Sequence, residues 1–288
     1  MCGVEMKIKT RFSLILCTLG DFVEIKKFIQ SILPYDKQYV EVIVVDQNEC
    51  SISSFFEPLR SSGFEVKYFH VNFKGLSKAR NYGLKYVTGE LVAFPDDDCI
   101  YQNNLLLEVD KLFKNEISFL SVNTCDQHEK NKSLVVLPKN EHEVSFRSRS
   151  AVSFTLFFKH DAIKKIGFFD EKMGVGAGTK YGAGEESDYI VRALKLNLKG
   201  TYYPSLYVYH PAKESSGTLS RELKTRMISY GGGYGYFIRK NFLIQGVTIS
   251  LRAILGVFFR IIRTIKSPVE RKMSIYFFVG FLNGFLKR

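Results

Sequence analysis

The stretch Gly89-Glu90-Leu91-Val92-Ala93-Phe94-Pro95-Asp96-Asp97-Asp98 decides the fold. An apolar run over Glu90 to Phe94 stops at a proline, and three consecutive carboxylates follow. Short apolar runs bounded by turn residues are buried strands of the kind that parallel sheets use. In an open α/β sheet, ligands bind outside the carboxyl ends of the strands, which is where these acids fall. Adjacent carboxylates repel one another and need a compensating partner. A hard divalent cation, Mn2+ or Mg2+, accepts one or two protein carboxylates and fills its shell with water and substrate phosphate. A solvated acidic turn or a helix N-terminus fits the same residues, and the sheet-edge position tilts the choice toward metal.

Upstream, Phe12 to Cys17 and Glu41 to Val45 read as further buried strands, and Val66 to Val71 as another. Between the first two, Phe22, Ile25, Phe28, Ile29 and Ile32 recur at helical spacing over Asp21 to Leu33, and Pro34 closes the segment. A second helix is predicted over Leu76 to Val87. This alternation predicts an α/β fold with a mostly parallel sheet and helices on both faces. Past residue 100 the pattern loosens. A helix is expected over Asn103 to Phe113 and another over Ser187 to Leu196, with strands over Ile117 to Val122, Ser153 to Phe158 and Thr201 to Val208.

A second acidic group stands ninety residues on, in Gly182-Ala183-Gly184-Glu185-Glu186-Ser187-Asp188, preceded by Gly174, Gly176 and Gly178. Acids in a first helical turn complement the helix dipole. Three of them beside a glycine-rich loop also offer a general base for an acceptor hydroxyl.

With these residues in view, positions 11 to 211 resemble the family 2 glycosyltransferases of the GT-A fold. The likeness is carried by the opening strand and turn Phe12 to Gly20, by Val44-Val45-Asp46, by Gly75-Leu76-Ser77-Lys78-Ala79-Arg80-Asn81, by Gly89-Glu90 and by Asp96 to Asp98, in that order and spacing. The resemblance implies an inverting transfer from a nucleotide-diphosphate sugar, UDP being the common nucleotide, with Mn2+ or Mg2+. It implies that Thr18, Asp46, Arg80, Asn81, Asp96 and Asp97 bind the nucleotide, with Asp46 on the base and Arg80 and Asn81 near the phosphates. Asp96 and Asp98 take the DxD metal positions, Asp98 as the direct ligand, and His210 in Tyr209-His210-Pro211 completes the metal shell. The family's Glu-Asp base motif falls on Glu185-Glu186, so Glu186 stands where Asp is usual, with Glu185 and Asp188 in reserve.

The chain of 288 residues carries a net charge of +12, placed unevenly: residues 212–288 hold 14 Lys/Arg against 3 Asp/Glu, whereas residues 1–211 hold 27 against 26. A near-neutral catalytic domain over 1–211, with a nucleotide half at 11–100 and an acceptor half at 101–211, thus precedes a basic region attracted to phosphate or an anionic membrane. Over 242–266 the basic and polar residues Gln245, Thr248, Arg252, Arg260, Arg263 and Lys266 share an arc of about 120° at 100° per residue, with Ile249 and Phe259 intruding. That predicts an in-plane amphipathic helix on the cytoplasmic face of a membrane. Ser274 to Leu286, ending in Lys287-Arg288, is expected to repeat it. The alternative is packing on the catalytic domain or in a homodimer.

Five cysteines without CxxC spacing predict reduced thiols. Lys7, Lys9 and Arg11 before Phe12 to Leu19 imitate a secretory signal, but no small-x-small cleavage pattern follows, so a buried strand is the better account. No GxGxxG follows the first strand, no Walker A sequence is present, and no RNA-binding or helix-turn-helix signature accompanies the basic region, which argues against dehydrogenase, ATPase and nucleic-acid readings. The expected partners are a nucleotide-sugar donor, a glycan or lipid-linked acceptor in surface-polysaccharide synthesis, and an anionic membrane. A sugar nucleotidyltransferase and an inactive membrane-bound binding module are the alternatives.

Overall fold

The structure, a computed structural model, describes residues 10–20, 22–113, 116–126, 137–211, 220–265 and 267–286. Cys2, Lys7, Lys9, Asp21, Lys266, Lys287 and Arg288 lie outside these residues. The first half runs β1 (Phe12–Thr18), α1 (Phe22–Ile32), β2 (Val40–Asp46), α2 (Glu57–Ser61), β3 (Glu65–His70), α3 (Leu76–Leu84) and β4 (Leu91–Ala93). The second runs β5 (Ile100–Tyr101), α4 (Leu105–Leu112), β6 (Phe119–Asp126), β7 (His142–Glu143), β8 (Leu156–Lys159), α5 (His160–Ile166), α6 (Glu185–Lys195) and β9 (Gly200–His210). Three helices follow, α7 (Arg221–Asn241), α8 (Val247–Arg263) and α9 (Pro268–Leu286).

One sheet contains all these strands, in the order β3-β2-β1-β4-β8-β6-β9-β5, with β7 beside β9. Strands β3, β2, β1 and β4 are parallel, as are β6 and β9. Strand β8 joins the two parallel groups by antiparallel pairing to β4 and β6. Every residue of β1 and β2 is buried because the sheet is covered on both faces. Alternate side chains of β1 serve two cores: Phe12, Leu14 and Leu16 pack with α1 and α4, while Ile15 and Cys17 pack with α3, α5 and α6. Thr18 pairs in register with Asp46, and Asp96 forms a parallel bridge to Cys17 beyond the end of β4. The carboxyl ends of three adjacent strands thereby gather Thr18, Asp46 and Asp96 at one edge.

Some expected elements differ in extent. Helix α3 stops at Leu84 instead of Val87, because the chain turns so that Tyr86 stacks on Phe69, with ring centroids 4.1 Å apart. Residues Ser153–Thr155 form a 3-10 turn, and the strand begins only at Leu156. The 21-residue α7 corresponds to no expected element. Its Gly231-Gly232-Gly233 and Gly235 are poor helix formers, each costing about 1 kcal/mol against Ala. Tertiary contact reverses that preference. A Cβ on Gly231 would overlap the Phe277 carbonyl of α9, one on Gly284 of α9 would overlap the Gly232 carbonyl, and one on Gly233 would overlap the Ala183 carbonyl. The missing side chains let α7 lie directly on α9 and on the loop before α6.

That contact corrects one expectation. Ser274 to Leu286 does not repeat the in-plane design; its Gly280, Phe281 and Gly284 are sunk against α7. Helix α8 behaves differently, leaving Leu251, Leu255, Phe258, Phe259 and Ile262 exposed in a stripe flanked by Arg252 and Arg263. Among the described residues, no helix is long and apolar enough to cross a membrane. Cys17, Cys50, Cys99 and Cys125 are free thiols.

Candidate active site

The run Asp96-Asp97-Asp98 is resolved by giving each carboxylate a different partner. Asp96 faces the Arg80 guanidinium at 3.4 Å, Asp97 accepts a 2.7 Å hydrogen bond from the Thr18 hydroxyl at the end of β1, and Asp98 meets His210 Nε2 at 3.0 Å. Ligand atoms of Asp96, Asp98 and His210 lie within 4.8 Å of one another. Burial, opposed by Arg80 but reinforced by Asp98, pushes the Asp96 carboxyl up to about 6.

His210 closes β9 and stacks on Phe154, with centroids 4.7 Å apart. Its Nδ1 lies 2.8 Å from the Pro211 carbonyl, which can only accept, so Nδ1 carries a hydrogen; Nε2 then donates to Asp98 when the ring is protonated and presents a lone pair to it when the ring is neutral. Two lone pairs at 3.0 Å require a proton or a cation between them. Burial pulls the imidazole down, yet the hydrogen bond and charge of Asp98 outweigh it and hold His210 above its ordinary value. Adjacent ligands of an octahedral ion at ~2.1 Å stand about 3 Å apart. Asp98 and His210 match that spacing, and with Asp96 they offer two carboxylates and one imidazole, a donor set that could hold Mn2+ or Mg2+.

Arg80 connects this cluster to the second acidic group. It is 1% exposed, lies under Phe94 and Phe169, and sends its other arm to Glu185 at 3.4 Å. The run Gly75 to Asn81 is built to hold that position. Gly75 adopts φ 126° with its backbone against Gly176 and Ala177, and the Leu76 amide donates to the Val175 carbonyl at 2.9 Å. The Ser77 hydroxyl donates to the Met173 carbonyl at 2.7 Å, and both ends of the Asn81 amide bond the Phe169 backbone, at 2.8 and 3.0 Å. One helical face thus ties the 169–177 segment to the sheet.

Glu185, Glu186 and Asp188 begin α6, after Gly184 in the left-handed region at φ 92°. Their environments separate them. Glu185 is buried on Arg80, and Asp188 is buried among Arg192, Asn241 and Lys240 at 2.9–3.0 Å, facing α7. Glu186 is half-buried; desolvation, with the Glu185 charge beside it, pushes its carboxyl up to about 7. A carboxyl that titrates near neutrality suits proton abstraction.

Two expected nucleotide contacts are engaged within the chain. Asp46 accepts from the Asn48 amide, the Asn48 side chain, the Ile52 amide and Tyr68, which fixes the 46–52 turn; burial would raise its carboxyl, but these bonds hold it below the usual value. Asn81 also donates to Glu171 at 3.0 Å. The structure brings together Thr18, Arg80, Asp96, Asp97, Asp98, Glu185, Glu186 and His210, with Asp46 beside Thr18 at the same sheet edge, while the side chains of Asp46, Asn81 and Asp188 also anchor the surrounding turns and helices.

Sequence reasoning did not find Tyr230 or Arg149. Burial raises the Tyr230 phenol, whose neighbouring charges are Arg226 on one hand and Glu185, Asp96 and Glu186 on the other. Arg149 sits over the Phe237 ring, and burial lowers its guanidinium while Tyr234 and Glu186 oppose that. Neither belongs to a local motif. The only signal was the glycine run around Tyr230, which marks a close backbone approach.

An open sheet with carboxylates beyond β4, a histidine at the end of β9 and a second acidic group at a helix start is an arrangement compatible with a GT-A type glycosyltransferase. The chain belongs to glycosyl transferase family 2, whose family model matches residues 13–165. It is 34% identical over 94 residues to the UDP-Glc:alpha-D-GlcNAc-diphosphoundecaprenol beta-1,3-glucosyltransferase WfgD of Escherichia coli, a match covering 32% of this chain and 37% of that one. An uncharacterized glycosyltransferase of Rickettsia bellii is 30% identical over 92 residues, covering 32% of this chain and 13% of that protein. The matched segments thus span well under half of these relatives. In fold, the chain is similar to the Pyrobaculum calidifontis mannosyltransferase PcManGT in complex with GDP-Man and Mn2+ (TM-score 0.64, 13% identity, 97% of this chain and 88% of that one). It is also similar to S. aureus TarS 1-349 in complex with UDP-GlcNAc (TM-score 0.62, 16% identity, 95% and 91%).

Proposed function

We propose that the chain transfers a sugar, with inversion, from a UDP-sugar to a hydroxyl of a glycan or lipid-linked acceptor in surface-polysaccharide synthesis. The observation that carries this reading is the Arg80 guanidinium, which faces Asp96 on one arm and Glu185 on the other at 3.4 Å. It joins the cation-binding run to the start of α6, so donor phosphates and base act in one cleft. Asp96, Asp98 and His210 would hold Mn2+ or Mg2+, which when bound neutralises charge on the departing diphosphate. Thr18 and Asp97 fix the end of β1 beside the donor, and Arg80 keeps the carboxylates apart. Glu186 takes the proton of the acceptor hydroxyl as its oxygen bonds the anomeric carbon and the bond to diphosphate breaks. UDP is preferred because the names of the E. coli relative and of the TarS complex carry it.

The test is transfer from a panel of nucleotide sugars with Mn2+, with the anomeric configuration of the product read by NMR. A retained anomer rejects the inverting mechanism, and release of pyrophosphate instead of nucleoside diphosphate would indicate a nucleotidyltransferase. Asp98→Asn is expected to weaken Mn2+-dependent UDP binding at least about tenfold, by removing one of three donors. Thermal shift with UDP, with and without Mn2+, checks it; an unchanged Mn2+-dependent shift would remove Asp98 from the cation site.

For localisation we propose peripheral attachment to the cytoplasmic membrane face through α8. The exposed stripe supplies apolar area and the flanking Arg252 and Arg263 supply attraction to anionic lipid. Replacing Leu255, Phe258 and Phe259 together by serine is expected to lower binding to phosphatidylglycerol vesicles at least tenfold, since each side chain contributes about 1.5 kcal/mol or more on burial. Vesicle flotation checks this, and unchanged flotation would contradict attachment through α8.

A further inference from the structure

The last turn of α7 grips the helix that carries Glu186. Two residues past that acid, the buried Asp188 side chain accepts from Asn241 Nδ2 at 2.9 Å and from Lys240 Nζ at 3.0 Å on one oxygen, and from Arg192 Nε at 3.0 Å on the other. Lys240 Nζ also reaches the Asp170 carboxylate at 2.8 Å, and that carboxylate accepts the Tyr236 hydroxyl at 3.2 Å. Tyr236 and Lys240 are four residues apart and so share one face of α7. Burial would raise the Asp170 carboxyl, but the hydrogen bond from Lys240, with that of the Lys172 amide, holds it below the usual value. Asp170 follows Phe169, whose ring lies against the Arg80 guanidinium and whose backbone bonds Asn81. One ammonium thus joins the segment that encloses Arg80 to the first turn of α6.

Among the described residues Glu186 makes no ion pair, and its carboxylate meets the hydroxyl of its neighbour Ser187 at 3.4 Å. Its place is therefore set by the backbone of that turn, which is held on one side by Glu185 on Arg80 and on the other by Asp188 on α7. Arg192 belongs to α6 itself and already compensates the Asp188 charge. What Lys240 adds is the bridge to Asp170. We infer that Lys240 is a positioning residue for sugar transfer: it locks the start of α6 to the Arg80 enclosure and so fixes Glu186 relative to the donor. Helix α7 lies outside the 13–165 segment matched by the family model, so this part of the machinery belongs to the basic C-terminal region. The inference rests on the transferase reading with Glu186 as base, and it deepens that reading.

The experiment measures kcat, donor KM and amide hydrogen exchange, all well below the melting temperature. Lys240→Met keeps the length of the side chain and leaves Asp188 its bonds to Arg192 and Asn241. It is expected to lower kcat about ten- to a hundredfold, the scale of a small displacement remote from the chemistry, while donor KM stays within about twofold, as for an interaction felt only in the transition state. Lys240→Arg can still bridge two carboxylates and is expected to restore most of kcat. Asp170→Asn breaks the bridge and spares Asp188; it is expected to lower kcat at least about threefold, and adding it to Lys240→Met should cost nothing more. Lys224→Met removes an equal charge from the outer half of α7, where the lysine packs over Tyr276, and should leave kcat unchanged. A lower Tm of Lys240→Met with unchanged kcat would show that the lysine serves stability alone and overturns the inference, as does a loss carried by donor KM or an additive loss in the double variant. Should Lys240→Met fail to fold, Asp170→Asn decides by itself, and unchanged kcat there overturns the inference. If the wild type transfers sugar from no donor, the transferase reading fails, and exchange judges the lock separately. The Asp188 amide donates to the Gly184 carbonyl at 2.9 Å; its loss of protection in Asp170→Asn, with β1 and β2 unaffected, upholds the lock, and unchanged protection overturns it.

Discussion

Glu186→Gln is expected to bind UDP-sugar and Mn2+ as the wild type does and to lose about 10²–10⁴-fold in kcat, the usual contribution of a positioned general base. The substitution keeps the shape of a half-buried side chain, so the fold has no reason to change. What disappears is the ability to accept a proton. The wild-type carboxyl stands at about 7 because it is desolvated and lies beside Glu185. The base acts only when ionised, so kcat/KM of the wild type should fall tenfold per pH unit below about 7 and level off above it. In Glu186→Gln this acidic limb should vanish from the residual rate. Stopped turnover assays across pH, together with UDP affinity, check both halves. Retention of turnover would move the base elsewhere, and Asp188 is a poor substitute because Arg192, Lys240 and Asn241 already engage it.

The legible part of the molecule was the part whose signals are local. Strands β1, β2 and β4 are buried on both faces and so read as mostly apolar runs, broken only by Ser13 in β1 and Glu41 in β2 before their polar last residues, and the acids at the end of β4 announce the sheet edge. The run Gly75 to Asn81 was legible as a motif, but what it does was not: Asn81 and Ser77 bind the backbone of residues nearly a hundred positions later, a contact no spacing encodes. Asp46 was equally visible, whereas its role in fixing its own turn depends on Tyr68 from the neighbouring strand. Helix α7 was lost for a stronger reason. Its glycines lower helix propensity, and only the carbonyls of α9 and of the loop before α6 explain why they stand there. Tyr230 went unseen with it. Helix α9 was misjudged because an apolar segment ending in basic residues looks the same whether it meets lipid or another helix.

Arg80→Met should be the most destabilising single change in the site, by about 3–5 kcal/mol, the cost of stripping one partner from a buried ion pair. Arg80 is almost fully enclosed by Phe94 and Phe169, so methionine can fill much of the space. It cannot compensate Asp96 and Glu185, each 3.4 Å from the guanidinium, and those two carboxylates would then share one pocket without a cation. The sign with pH follows from Asp96, which titrates at about 6 even with Arg80 present. Without the arginine its carboxyl rises further. Below about pH 5 Asp96 is protonated in both proteins and the Asp96 share of the penalty disappears. As pH climbs through 6 and beyond, only the wild type gains a compensated carboxylate, so the difference in stability widens. For a chain of this length the loss corresponds to a Tm lower by on the order of 10 °C at neutral pH. Calorimetric melts of both proteins from acid to neutral pH measure it. Adding Glu185→Gln to Arg80→Met should recover part of the stability, since one of the two stranded charges is then removed. A Tm difference that does not vary with pH would mean that Arg80 acts by packing alone and leaves the two acidic groups electrostatically independent.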